Sequence, residues 1–126
     1  MKRLHTLGLF AAAAAMSLAL PATAHHSYSM FDMTKTVVLE AKVTQFRWQN
    51  PHAFIRVEVP VGGEVEVWSI EMTSPNNLVQ EGWTRTSVRQ GDRVQLYVHP
   101  LRNGARGGSY SGIRLPDGST LGTVED

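Results

Sequence analysis

Residues 64–82 read Glu64-Val65-Glu66-Val67-Trp68-Ser69-Ile70-Glu71-Met72-Thr73-Ser74-Pro75-Asn76-Asn77-Leu78-Val79-Gln80-Glu81-Gly82, and the period changes inside them. Up to Glu71 the alternation is two-residue. Val65 and Val67 share one face and Trp68 and Ile70 the other, which predicts a strand over residues 64–71. The change of face half-way implies either a bulge or a strand covered on both sides. From Thr73 the pattern becomes helical. Ser74 suits an N-cap, Pro75 the first helical position, Leu78 and Val79 an apolar side, and Gly82 the end. So short a helix is unstable alone and must pack on a sheet through Leu78, Val79 and Trp83.

Working outward, two more strands precede this one. Residues 36–48 place Val37, Leu39, Ala41 and Val43 on one face with Glu40, Lys42 and Thr44 on the other. Phe46 and Trp48 then fall on the polar face and imply a second apolar contact there. Gln49-Asn50-Pro51 breaks the strand. Residues 52–59 resume it, with Ala53, Ile55, Val57 and Val59 inward and His52, Phe54, Arg56 and Glu58 outward, and Pro60 to Gly63 is read as a turn. On the other side, Gln90-Gly91-Asp92 is a turn and Val94, Leu96 and Val98 form the inner face of a fourth strand. Residues 100–108 read as a flexible basic loop, and a last hairpin turns at Pro116-Asp117-Gly118. Three strands, one short helix, then two or three strands is the order of a small OB-like Greek-key barrel, the helix lying between the third and fourth strands. An open β-sandwich would satisfy the same alternation; the place of the helix favours the barrel.

The first 24 residues read as an export signal. Met1-Lys2-Arg3 is basic, Leu7 to Leu20 apolar, and Ala22-Thr23-Ala24 a small-residue cleavage site. The apolar run is too short and alanine-rich for a membrane span. The expected organisation is therefore a cleaved signal (1–24), an N-terminal arm (25–35) and a barrel domain (36–126), located in the bacterial periplasm or secreted. Cleavage leaves 102 of the 126 residues and removes Lys2, Arg3 and His5, turning the formal charge of +1 into −1. That balance excludes a protein held mainly by nucleic-acid phosphates. With no cysteine, disulfides, thiolate metal sites and thiol catalysis are excluded too. The core must stabilise the fold alone, which a chain able to bury roughly 60–70% of its unfolded surface can do.

The segments His25-His26-Ser27, Met30-Phe31-Asp32, Trp48-Gln49-Asn50-Pro51-His52, Gly82-Trp83, Gly91-Asp92-Arg93-Val94, residues 99–104 (HPLRNG) and Leu115-Pro116-Asp117-Gly118 span the mature chain. In these the chain resembles a family of small exported bacterial proteins catalogued as a domain of unknown function. The resemblance implies an exported, compact, β-rich domain and no assigned activity.

Cleavage after Ala24 would make His25 the first residue, its α-amino group beside its own imidazole. Amine and imidazole nitrogens suit Cu(II), and the thioethers of Met30 and Met33 suit Cu(I). This resembles the histidine brace of copper-dependent oxygenases and periplasmic copper carriers, in that chelating group alone. His25, His26, His52 and His99 are the mature histidines and the candidate metal ligands, with copper the candidate ion. The plainer reading of His25-His26 is a polar, extended start, and of His52 and His99 ordinary backbone hydrogen bonding.

A second candidate is a face built from Trp48, Phe54, Arg56, Tyr97 and His99, with Arg102 and Arg106 near a glycine-rich loop. Such a face would take an unidentified protein or small-molecule ligand. Trp68 and Trp83 read as core. No GxSxG, GxxxxGK, HExxH or GxGxxG pattern occurs, so a non-enzymatic binding role is expected.

Overall fold

A computed structural model describes residues 28–126. The expected export signal, His25 and His26 lie outside the described residues. Strand β1 (Val37–Arg47) pairs antiparallel with β2 (Phe54–Val61), and β2 with β3 (Glu64–Glu71). The helix α1 (Pro75–Gln80) follows, then β4 (Arg93–Pro100), β5 (Gly107–Arg114) and β6 (Thr120–Gly122). β4 pairs with β1 and β5, and β5 runs parallel to β3 through Ser69–Glu71 and Gly107–Ser109. The circuit β1-β2-β3-β5-β4 therefore closes on itself as a five-stranded OB-like barrel, with the short helix between β3 and β4 and β6 added to the edge of β5.

The inward residues are those that alternation predicts. Leu39, Ala41 and Val43 on β1, Ile55, Val57 and Val59 on β2, and Val94, Leu96 and Val98 on β4 are all buried. Phe46 and Trp48 are not on the polar face, as two-residue counting placed them. Val43 pairs with Val57 but Gln45 with Arg56, so Thr44 is an extra residue in β1. That bulge reverses the parity of the residues beyond it and turns Phe46 inward opposite Ile55, with Trp48 packed on it edge-on at 5.8 Å. A second irregularity, between Tyr97 and Val98, lets Tyr110 face the interior opposite Val98.

Three further expectations are corrected. β3 is neither bulged nor covered on both sides: its register with β2 is unbroken, and Val65 and Val67 are exposed on the outside. The β2–β3 turn is only Gly62-Gly63, both with positive φ (56° and 84°), because β2 runs on through Pro60 and Val61. Residues 107 and 108 belong to β5 rather than to a flexible loop. A Cβ at Gly108 would come within 2.7 Å of the His99 carbonyl oxygen, so the bare backbone is what allows β5 to lie this close to β4.

The helix starts as its residues dictate: the Ser74 hydroxyl accepts the Asn77 N–H and Pro75 is the first helical residue. Leu78 and Trp83 are buried in the core, whereas Val79 is 59% exposed. With six residues the helix can bury one narrow stripe, and Leu78 fills it.

Candidate functional site

The described part of the N-terminal arm is a docked strap, not a free extension. Tyr28–Met30 form a single 3-10 turn, and Phe31 is buried in an isolated bridge to Leu101. The Asp32 N–H donates to the Pro100 carbonyl at 2.8 Å, and the Arg102 N–H to the Met30 carbonyl at 2.9 Å. The Arg102 guanidinium also donates to the Ser29 carbonyl and stands 4.0 Å from Asp32.

Beneath the strap, strand register lines up four side chains on the outer face. Phe54 of β2 is opposite Glu71 of β3, Glu71 opposite Ser109 of β5, and Ser109 opposite His99 of β4. Ser109 is the one polar residue buried among the described residues. His52, two residues before Phe54, places its ring Nδ1 3.1 Å from a Glu71 carboxylate oxygen and 2.9 Å from the Met72 carbonyl oxygen. Both partners are acceptors, so Nδ1 carries a hydrogen and donates it. His99 is set the same way, its Nδ1 2.8 Å from the Lys35 carbonyl oxygen. A carboxylate or carbonyl fixing one ring nitrogen is how proteins orient a metal-binding histidine. It is equally an ordinary backbone contact, and among the described residues no three His, Asp or Glu side chains gather tightly enough to hold an ion. His52 and His99 stand on one face but do not themselves close a ligand set.

Tyr28, Met30, Phe31, His52, Glu71, Met72 and Ser109 enclose a small cavity of about 10 Å³, close to the space one water molecule needs. A broader open groove of about 610 Å³ adjoins it, sharing Tyr28 and Ser109 and reaching His99, Glu81 and Tyr110. A third groove, about 330 Å³, lies over Glu40, Lys42, Arg93 and Gln95. There Gln95 donates to Glu40 at 2.6 Å and accepts the Tyr97 hydroxyl at 2.7 Å, so these polar groups satisfy one another.

The aromatic and basic residues expected to form a ligand face are dispersed. Phe54 is half-buried beneath the Arg47 guanidinium, 5.9 Å from its ring centre, and Arg56 is exposed further along β2. Tyr97, expected outward and accessible, is buried. Arg56 pairs with Gln45 on β1 and Tyr97 with Val38, a separation of roughly 23 Å along one strand. Thr123 lies over Gly112, the neighbour of Tyr97, and shields that part of the outer face. Trp48 joins the Phe46 cluster inside. Arg102 is engaged by the strap, and Arg106 by Glu66 at 2.8 Å. Trp83 is core as expected; Trp68 is partly buried, and its indole N–H finds no hydrogen-bond partner among the described residues.

The sequence singles out His52 and Met30 separately without joining them, and it gives no reason to count Glu71, Met72, Ser109 or Tyr28 as site residues. Their juxtaposition depends on the parallel β3–β5 closure, which leaves no mark in local sequence. The closeness of His52 to Glu71 follows from the hairpin register, which sets Phe54, two residues after His52, opposite Glu71.

These features define a class: a small closed β-barrel whose N-terminal strap roofs a histidine–carboxylate pair. The chain belongs to the family of unknown function DUF6152, which matches residues 13–110. No curated protein and no solved structure matches it. Among the described residues no helix is long and apolar enough to cross a membrane.

Proposed function

We propose that the protein is an exported, non-enzymatic binding module of the bacterial periplasm or exterior, and that its ligand is a copper-type ion taken up by the mature N-terminus against His52. The observation that carries this reading is the setting of His52, whose ring Glu71 and the Met72 carbonyl hold at the wall of the cavity beneath the strap. Tyr28 lines the same cavity, and His25 precedes it by three residues, a reach of at most about 10 Å. Amine, imidazole and thioether donors form a set that favours copper over hard cations.

The test is Cu(II) titration of protein cleaved after Ala24, beside the same chain carrying one extra N-terminal residue and beside His52→Ala. The cleaved chain should bind one equivalent, and both alterations should weaken binding at least tenfold. Equal binding by the cleaved and extended chains, or none by either, overturns the proposal.

A further inference from the structure

We propose that the free edge of β3 over residues 65–67 is a self-association surface, on which a second copy of this chain adds its own β3 antiparallel about a two-fold axis at Glu66. The inference stands apart from the copper reading and uses none of its residues.

Strand register fixes which backbone groups are free. β3 pairs with β2 along its whole length, but with β5 only through Ser69–Glu71. The Ser69 N–H donates to the Arg106 carbonyl, on the β5 side. Backbone direction alternates along a strand, so the N–H and C=O of Val67 and Val65 point to that same side. Pro60 agrees: it stands opposite Val65 and has no N–H, as suits a pair that exchanges no hydrogen bonds. Among the described residues no hydrogen bond reaches these groups of Val65 and Val67. Their side chains are 58% and 51% exposed on the outer face. Natural sheets blunt an open edge with charge, proline or a bulge. Here β3 is regular, and the one charge between the valines, Glu66, is neutralised by Nε of Arg106 at 2.8 Å.

A second copy fits this edge by register and by charge. With Glu66 on the two-fold, Val65 stands opposite the partner's Val67, and Val67 opposite the partner's Val65. Each such pair exchanges two hydrogen bonds, so every free backbone group of these valines is satisfied in both copies. The valine side chains then meet on the outer face, where cross-strand apolar pairs stabilise a sheet. Glu66 faces the partner's Glu66, an opposition that would repel on its own. Each carboxylate, however, brings its own Arg106, so positive and negative charges balance across the axis. The Arg106 side chain is 58% exposed and meets Glu66 through Nε, which leaves its terminal amino groups open to the partner's Glu66. A contact of one short strand makes a reversible dimer, not an obligate one.

The experiment is sedimentation equilibrium of the chain cleaved after Ala24 over a range of concentrations, with amide exchange alongside. The mass should rise from one chain to two with concentration, and exchange at the Val65 and Val67 amides should slow as it does. Val67→Lys, which charges the edge, should weaken the dimer at least tenfold. Val38→Lys, at a comparably exposed valine of β1, should not. Arg106→Gln leaves two carboxylates opposed and should weaken the dimer, and adding Glu66→Gln to the same chain should restore it. The register has its own probe, because the chain holds no cysteine. Residues of a non-hydrogen-bonded pair lie about 4.5 Å apart at Cα, within disulfide range. Glu66→Cys should therefore oxidise to a covalent dimer, and Glu64→Cys should not. A chain that stays monomeric at every concentration, a dimer that Val67→Lys leaves intact, equal weakening by Val38→Lys, or cross-linking at residue 64 in preference to 66 would each overturn the inference.

Discussion

Trp83 donates its indole N–H to the hydroxyl of Tyr110 across 3.2 Å, with the two rings meeting edge-on at 5.4 Å between centres. This bond ties the segment after α1 to β5, and Phe46 from the bulged end of β1 packs on the same indole at 5.7 Å. Three parts of the chain thus meet at Trp83, which is 1% exposed. Tyr110→Phe keeps the ring and strands the buried N–H, so it should destabilise the domain by about 1–3 kcal/mol. Urea unfolding measures this directly, with an unchanged m-value expected because no surface is rearranged.

The same tyrosine sets a pH dependence. Burial holds the Tyr110 hydroxyl well above the ordinary tyrosine range, with the Trp83 hydrogen bond opposing and the Glu81 carboxylate adding to the rise. A raised folded value means the folded state keeps a proton that the unfolded chain gives up. The stabilisation is whole below about pH 10, the ordinary tyrosine value, and is lost as pH rises beyond it. Denaturant midpoints of the natural protein should therefore fall more steeply above pH 10 than those of Tyr110→Phe. Parallel alkaline slopes for the two proteins would refute this.

Much of the barrel is legible in the sequence because its information is local. The alternation of Leu39, Ala41 and Val43, the Ser74-Pro75 start of α1 and the position of that helix suffice for the strand order. Parity is not legible. One extra residue at Thr44 reverses the assignments in the rest of β1, Phe46 and Trp48 among them, and nothing about a threonine in a strand announces a bulge. Tyr97 is misjudged for a related reason: alternation gives its face, but the shielding comes from Thr123, 26 positions along. The site is legible only in fragments. His52 and His99 stand out by type, yet it is Ser109 that joins Glu71, the partner of His52, to the strand of His99 through the barrel closure, a contact between distant segments that periodicity does not encode.

The Gly62-Gly63 turn offers a stabilising substitution. Both residues have positive φ, and a Cβ at Gly62 would meet nothing within 4 Å. Asparagine tolerates the left-handed region, and Asn-Gly is a preferred pair for a two-residue hairpin of this kind. Gly62→Asn narrows the unfolded ensemble, a gain partly offset by the strain of a side chain at this positive φ, and should raise stability by less than about 1 kcal/mol. Gly62→Val, which is β-branched at the same φ, should instead destabilise. A pair of thermal unfolding curves decides between these signs.

The strap should detach before the barrel unfolds, and the Phe31 and Asp32 positions separate the two events. Truncating a buried phenylalanine costs about 3–5 kcal/mol where the surroundings cannot move. Phe31, however, sits on a terminal segment that can simply leave, so the global loss in Phe31→Ala is limited to what docking itself contributes. The expected result is a small change in the urea midpoint together with at least tenfold faster amide exchange at Asp32 and Arg102, whose N–H groups bond across the strap. Acid should act on the same element. The Thr34 hydroxyl and N–H bonds hold the Asp32 carboxyl below its usual range, with Arg102 and Lys35 adding to the effect. A lowered folded value gives stability that is present above the ordinary aspartate range, near pH 4, and lost as pH falls through the folded value. Exchange at these amides, corrected for intrinsic rate, should therefore rise below about pH 4 in the natural protein. In Asp32→Asn it should be fast throughout and independent of this titration. A strap that exchanges only with global unfolding in both variants would mean that residues 28–35 are part of the barrel's cooperative unit.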